Sequence, residues 1–428
     1  MSGSQKWYCR FSLPGKGQIR KSLGTADVEQ AKLRAGDVYD EAKFLGKTGL
    51  SSVKRTFRDA AAEFVAELKL KTEAGEMKKR RFGDYRPFVE RYITEYFGDK
   101  TVAALDDIEI ANFWNWRKTY FTTGPGSKSK TIEYVRKGKT ISRPITPKQL
   151  TWSTQASEAV VLRQFLEFCR TKRYLKDVPV VDTPSRRGQK MRRRTRLSGD
   201  QILAFQTKIE ERIFAAHNEA LRLEQMRGKG TRLERLRHAR ELRVAKDRAW
   251  TYRSMLGWLW VSLALATRPT ETMTITWGKI QGYKYGASPA DQHGEITVTV
   301  FGKGQDRPAV AQTGIASGLD LLWDLAKERN KSGPKPTDLL FIRRDGKKLT
   351  SFADQFNSIL GELGLLVDDF GVKRTSYVLR HTAISQLLER GVDDYLVAKS
   401  AGTSTDMLRK YYDQADLSHR RKELVGEL

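Results

Sequence analysis

Cysteine and histidine are scarce in this 428-residue chain, which has two cysteines, Cys9 and Cys169, far apart, and five histidines. That scarcity excludes a disulfide framework and a cysteine-rich zinc site; it fits metal-free chemistry in a reducing compartment, with a carboxylate-bound magnesium left open, and no cofactor is expected. Long apolar runs are also missing. The longest, Leu256 to Ala266, is interrupted by Gly257 and Ser262 and falls well short of the ~20 residues that span a bilayer, so it reads as a buried core helix and no membrane partner is expected. The opening Met-Ser-Gly-Ser-Gln-Lys-Trp holds no apolar signal segment, which points to a cytoplasmic location.

Acidic residues are in deficit, 51 Asp+Glu against 78 Lys+Arg, for a formal net charge of +27. A surplus of this size makes the compact state repel itself and is most simply explained by a polyanionic partner, nucleic acid ahead of a membrane surface. With 39% hydrophobic and 10% aromatic residues, wholesale disorder is excluded. There is apolar material for two or three domains at roughly 150 residues each.

Residues Trp7 to Leu13 alternate, with Trp7, Cys9, Phe11 and Leu13 on one side, and the pattern ends at Pro14-Gly15-Lys16-Gly17. A second strand, Ile19 to Leu23, leads into Gly24-Thr25, where Thr25 can cap a helix carrying Val28, Ala31, Ala35 and Val38. Residues 1–52 thus read as a small ββα module whose Lys16, Arg20 and Lys21 face DNA or solvent. A capping-box pattern at Thr56-Phe57-Arg58-Asp59 opens a helical domain over 54–178. Its apolar stripes (Tyr92, Ile93, Tyr96 and Phe97; Phe113, Trp114 and Trp116; Val160, Val161, Phe165, Leu166 and Phe168) read as core rather than as a base-stacking platform. Thr131 to Ser142 reads as a basic hairpin turning at Lys137-Gly138.

Residues 179–196 form a linker in which Arg186, Arg187, Lys190, Arg192, Arg193, Arg194 and Arg196 fall within eleven residues without an acid. Such a run cannot pack in a core and keeps its charges available for DNA phosphates. A capping box at Ser198-Gly199-Asp200-Gln201 starts the last domain, 197–428, which carries a charged helical insertion over 208–248 and a tail over 415–428. Strand-like pieces fall at Thr274 to Ile280, Glu295 to Phe301 and Pro308 to Gln312. The expected fold class is mainly α with small β-sheets, α+β, the last domain being mixed α/β.

Within that domain Arg268 stands in Ala266-Thr267-Arg268-Pro269-Thr270-Glu271, and Lys303 in Gly302-Lys303-Gly304. Arg380 stands in Tyr377-Val378-Leu379-Arg380-His381-Thr382, and Gly402-Thr403-Ser404 precedes Tyr411-Tyr412. Singly, a helix-end ion pair, a hairpin tip and a core aromatic explain each. Their order and spacing, with Thr403 nine residues before Tyr412, resemble the tyrosine recombinase (phage integrase) family. Its pattern is an Arg in a T-x-x-R-x-x-E-like turn, a Lys in a β-turn, H-x-x-R-H, Gly-His or Gly-Trp, and then Tyr. Trp277 in a strand after the first Arg and the turn Arg344-Asp345-Gly346-Lys347 extend the resemblance over nearly the whole chain. The N-terminal module, with Ser22-Leu23-Gly24-Thr25, is similar to the arm-binding modules of some phage integrases.

The resemblance implies a site-specific DNA recombinase that cuts and rejoins strands through a 3′-phosphotyrosyl intermediate, without metal or ATP. Attack of a tyrosine oxygen on a phosphodiester passes through a five-coordinate phosphorus bearing extra negative charge, which the guanidinium groups of Arg268 and Arg380 suit. Lys303 fits the proton donor to the departing 5′ oxygen. The phosphotyrosyl bond conserves the energy for rejoining. Adjacent helical residues point ~100° apart. Leu408, Tyr411 and Ala415 form a stripe that should face the core, so Tyr412 is left on its flank as the nucleophile, in agreement with the family spacing. Tyr377 and Thr403 stand where the family has His and His or Trp; both donate hydrogen bonds to a phosphate oxygen, but neither titrates near neutrality. His381, on the motif's register, points away from the phosphate and is structural.

As partners the resemblance implies double-stranded DNA, a homo-tetramer assembled on DNA with exchange of the 415–428 tail, and an accessory DNA-bending protein, in a bacterial or phage-encoded setting. The domains 54–178 and 197–428 would form a clamp. The alternatives are a DNA-binding architectural protein with weakened catalysis and a type IB topoisomerase-like nicking-closing enzyme.

Overall fold

The computed structural model describes residues 6–13, 16–48, 55–129, 131–136, 139–145, 150–182, 195–288, 295–302 and 304–412. The chain folds as two compact units, Met1–Gln189 and Lys190–Leu428. As expected, it is mostly helical with small antiparallel sheets. No helix among the described residues is long and apolar enough to cross a membrane.

In the first unit β1 (Tyr8–Leu13) pairs antiparallel with β2 (Lys16–Ser22), Phe11 opposite Ile19, and α1 (Val28–Thr48) packs on the pair. Thr25 does not cap that helix. Asp27 Oδ1 accepts the Gln30 N–H at 2.7 Å, and the Thr25 hydroxyl accepts the N–H of Asp27 at 3.1 Å. Because the helix starts at Val28, the residue immediately before it is the one within reach of the free amides.

The helical part comprises α2 (Phe57–Glu73), α3 (Lys79–Pro87) running through a π-turn into α4 (Thr94–Tyr96), α5 (Asp107–Thr119) and α6 (Trp152–Thr171). Thr56 caps α2 by accepting the N–H of Asp59. The aromatics form the core: Phe97 stacks between Phe57 and Phe113 at 4.5 and 5.2 Å, so these rings are not available to bases. The hairpin β3 (Thr131–Arg136) and β4 (Lys139–Pro144) forms where expected, its Lys137-Gly138 tip lying outside the described residues.

The second unit opens with α7 (Gly199–Gln225) and α8 (Arg232–Leu265), each started by a capping box, Ser198 with Gln201 and Thr231 with Glu234. They run antiparallel, joined by Arg248–Glu219 at 2.7 Å and Lys246–Glu224 at 2.8 Å. The outer half of the hairpin buries only a small cluster of Ala220, Leu223 and Ala245, whereas Trp258, Leu259 and Val261 carry α8 into the main core. There follow α9 (Pro269–Thr272), the sheet β5 (Ile280–Gln281), β6 (Thr297–Gly302) and β7 (Gln305–Val310), then α10 (Ile315–Asn330) and α11 (Ala353–Glu362). The unit's described part closes with α12 (Tyr377–Glu389), α13 (Asp394–Ala401) and α14 (Thr405–Tyr412).

The strand expected over Thr274 to Ile280, with Trp277 in it, is not formed. Trp277–Lys279 is a 3-10 turn and only Ile280 and Gln281 pair with β6. Ile275 and Trp277 alternate in burial because a loop covers them: Leu340 donates to the carbonyl of Ile275, and the Trp277 N–H reaches that of Asp338, both at 3.0 Å. One-sided burial therefore produced a strand-like pattern without a ladder.

Helices α8 and α10 approach closely at Gly257 and Gly318, where a Cβ on Gly257 would lie 2.7 Å from the Leu322 side chain. Overpacking of such a contact costs roughly 1–3 kcal/mol. Gly257→Val is expected to lower stability by about that amount, read from the chemical denaturation midpoint of the full chain.

Candidate active site

The site begins where α8 ends. Ala266 adopts φ 50°, a left-handed conformation costing an L-residue about 1–2 kcal/mol, and Arg380 Nη1 donates to its carbonyl at 2.8 Å. The turn delivers Arg268 to the head of α9, with Pro269 in the first helical position. Glu271, one turn on, accepts the backbone N–H of Arg268 at 3.1 Å through one oxygen and its Nη1 at 2.6 Å through the other. The R-x-x-E spacing is thus a local clamp.

A third arginine completes it. Arg307 on β7 lies opposite Val300, on the face of the sheet that buries Val298 and Ala309. It donates at 3.0 Å to the Glu271 oxygen that also accepts the Arg268 backbone N–H, to Ala401 O at 3.0 Å and to Ser400 O at 3.1 Å. Arg268 Nη2 donates to Gly402 O at 2.7 Å, and Arg380 Nη1 to Ala401 O at 2.7 Å. Three guanidinium groups therefore converge on the last carbonyls of α13. These are the unsatisfied acceptors and the negative end of the helix dipole. The approach is close enough to require two glycines. A Cβ on Gly402, whose φ is 67°, would overlap the Arg307 guanidinium, and one on Gly302 would overlap the Glu271 carboxylate.

Burial works against the Glu271 carboxylate, yet the hydrogen bonds from Arg268 and the charges of Arg307 and Arg268 outweigh it and hold its pKa below the usual range. Burial lowers the pKa of Arg380, with Tyr377 opposing, Arg268 adding to the fall, and Tyr412 and Glu271 opposing; an arginine so placed stays charged. Its Nε is buried without a hydrogen-bond partner among the described residues.

Beside the arginines lies an aromatic row. Tyr377, at the start of α12, has its ring 6.0 Å from the Arg380 guanidinium and 4.9 Å from the ring of His381. The His381 ring lies 5.1 Å from that of Tyr412, and Nδ1 is 2.6 Å from the Tyr412 hydroxyl oxygen. Tyr412 packs against a small core of Ala266, Ala383, Ile384, Val397, Ala398, Ala401 and Leu408. Leu408 is buried as expected, while the Tyr411 side chain and Ala415 lie outside what is described.

His381 also makes a contact that its helical register alone does not show. It does turn away from Arg380, as helical neighbours must, but α14 packs against α12 there and brings the Tyr412 oxygen to it. Thr403 closes the α13 end through its N–H to Ala398 O at 2.9 Å, its side chain half-buried. Lys303 lies outside the described residues, as do Arg186, Arg187, Lys190, Arg192, Arg193, Arg194 and the 415–428 tail. Arg196 is described and pairs with Glu389. Arg307 is not marked out by any motif in the sequence; its register on β7, opposite Val300, is what turns it inward. Among the described residues no group of His, Cys, Asp and Glu is placed to hold a metal ion.

No family model matches the sequence, and no curated protein matches it. Solved structures do. XerH site-specific recombinase bound to palindromic difH substrate, in a post-cleavage complex, is similar at TM-score 0.54 and 14% identity, over 88% of this chain and 98% of that one. A lambda integrase tetramer bound to a Holliday junction is similar at TM-score 0.51 and 13% identity, over 95% and 92%. The Tn1549 transposon integrase in complex with circular intermediate DNA is similar at TM-score 0.50 and 12% identity, over 86% and 99%. The likeness is one of fold: the chain has the fold of tyrosine recombinases.

Removing the clamp carboxylate leaves two arginines facing each other, and breaking a buried ion pair costs roughly 3–5 kcal/mol. Glu271→Ala is expected to lose about that much at pH 7 by urea denaturation. Because the folded-state pKa is depressed, the wild type's advantage is fully present above the ordinary carboxylate value and is lost as pH falls through the lower folded one. The gap between the two proteins should therefore narrow as pH falls from about 5 to about 3, across the ordinary carboxylate pKa of about 4.3.

Proposed function

We propose that this chain, which has the tyrosine recombinase fold, is a site-specific DNA recombinase that breaks and rejoins strands through a phosphotyrosine. The observation that carries the reading is the convergence of Arg268 and Arg380 on adjacent carbonyls, Gly402 and Ala401, of the same turn. Two fixed guanidinium groups side by side hold a phosphodiester and stabilise the extra charge of its five-coordinate state. Tyr412 is the nucleophile. Its oxygen bonds to phosphorus, the bond from phosphorus to the 5′ oxygen breaks, and that oxygen takes a proton. We assign the donor to Lys303, which falls between β6 and β7 in the sequence, and supporting contacts to the phosphate to Tyr377 and Thr403. Rejoining runs the same steps backward with the hydroxyl of another strand, so no external energy source is needed.

The partner is double-stranded DNA; the XerH structure is bound to difH substrate and the lambda integrase tetramer to a Holliday junction. The surplus charge, including the 186–196 run, holds the duplex through its phosphates. We extend to this chain the tetramer seen with lambda integrase, with exchange of the 415–428 tail, and an accessory protein that bends DNA. Residues 1–52 would bind arm-type sites and 54–178 the core site.

The test is incubation with a nicked suicide DNA substrate in EDTA, followed by denaturing electrophoresis. Wild type and Tyr411→Phe are expected to give a covalent protein–DNA band, Tyr412→Phe none, and Arg268→Ala a rate lower by ~10²–10³-fold. Attachment lost only with Tyr411→Phe would overturn the nucleophile. Absence of any band on a specifically bound site would favour an architectural DNA-binding protein, and a strict magnesium requirement would contradict the metal-free mechanism.

A further inference from the structure

A tyrosine hydroxyl, with an ordinary pKa near 10, attacks phosphorus effectively only if its proton is removed as the bond forms. Tyr377 occupies the motif position before Arg380 where a histidine is usual, and a phenol there cannot accept that proton near neutrality. One turn along the same helix, His381 presents Nδ1 2.6 Å from the Tyr412 oxygen. That is within the range required of a general base. His381 is only 5% exposed, with Tyr377 packed on one side and Tyr412 on the other. Its ring is thereby fixed and largely shielded from water. The Tyr412 oxygen also lies within the field of the Arg380 guanidinium, which favours the developing phenolate.

We propose that His381 is a catalytic residue, the proton acceptor for Tyr412. In the tautomer protonated on Nε2, Nδ1 accepts the hydroxyl hydrogen bond and takes the proton as the Tyr412 oxygen bonds to phosphorus. The pair of electrons from the O–H bond forms the new O–P bond, the electrons of the broken P–O bond leave with the 5′ oxygen, and that oxygen is protonated separately. The imidazolium returns its proton to the Tyr412 oxygen when an incoming hydroxyl displaces it. The proton acceptor thus stands four residues, about one helical turn, beyond the position that Tyr377 holds, with Tyr377 as its packing partner. This inference rests on Tyr412 being the nucleophile.

The experiment is single-turnover cleavage of the suicide substrate by the full chain, with half-site binding followed in parallel by gel shift. His381→Ala is expected to bind DNA like wild type and to cleave ~10²–10⁴-fold more slowly, with part of the rate restored by added imidazole. His381→Gln keeps a hydrogen-bonding end but no base and is expected to stay slow. It carries the test should the alanine variant fail to bind. Substituting ring-fluorinated tyrosine at position 412, whose phenol ionises more readily, should speed the His381 variants more than it speeds wild type. A His381→Gln enzyme that cleaves at the wild-type rate, or His381 variants helped by neither imidazole nor the fluorinated tyrosine, would overturn the role. Failure of the parent reading looks different: wild type would form no covalent product, or Tyr412→Phe would still form it.

Discussion

The Glu271 carboxylate lies buried between Arg268 and Arg307, and the arrangement around it depends on that one anion. Three arginines that converge on one helix end, from the head of α9, from β7 and from α12, repel one another strongly in a low-dielectric interior. Glu271 offsets two of them, and the carbonyls of Ser400, Ala401 and Gly402 supply the remaining negative potential. The balance leaves net positive charge, held in place before any ligand arrives. A site preorganised in this way does not have to assemble its charges when a phosphate binds.

The same constraint explains features that look unrelated in the sequence. The strained φ of Ala266 is held by Arg380, and it sets the direction in which Arg268 leaves α8. Gly302 and Gly402 are required because the carboxylate and a guanidinium occupy the space of a side chain. The sheet contributes through its register, which turns Arg307 inward opposite Val300. Helices α8, α9, α12 and α13 thus meet at one charged core, and α14 carries Tyr412 to its border.

Much of this was legible in the residues. Capping boxes at Ser198 and Thr231 locate helix starts because they are local, three-residue interactions. The pairing of Arg268 with Glu271 is legible for the same reason. What could not be read depends on contacts distant in the chain. Arg307 is one of 78 basic residues, and only the pairing of β7 with β6 shows it facing inward. His381 reads as structural from the helix alone, since its contact with Tyr412 depends on where α14 lies. The alternation around Trp277 reports burial beneath a loop rather than a strand, because periodicity records exposure and not hydrogen bonding.

On the proposed mechanism the Tyr412 oxygen becomes joined to DNA beside the Arg268 and Arg380 pair. The most direct measurement is mass spectrometry of the covalent complex after nuclease and trypsin digestion, with fragmentation of the peptide that starts at Tyr411 and contains Tyr412. A 3′-phosphonucleotide is expected on Tyr412. The same adduct on Tyr411, or on a residue outside α14, would contradict it.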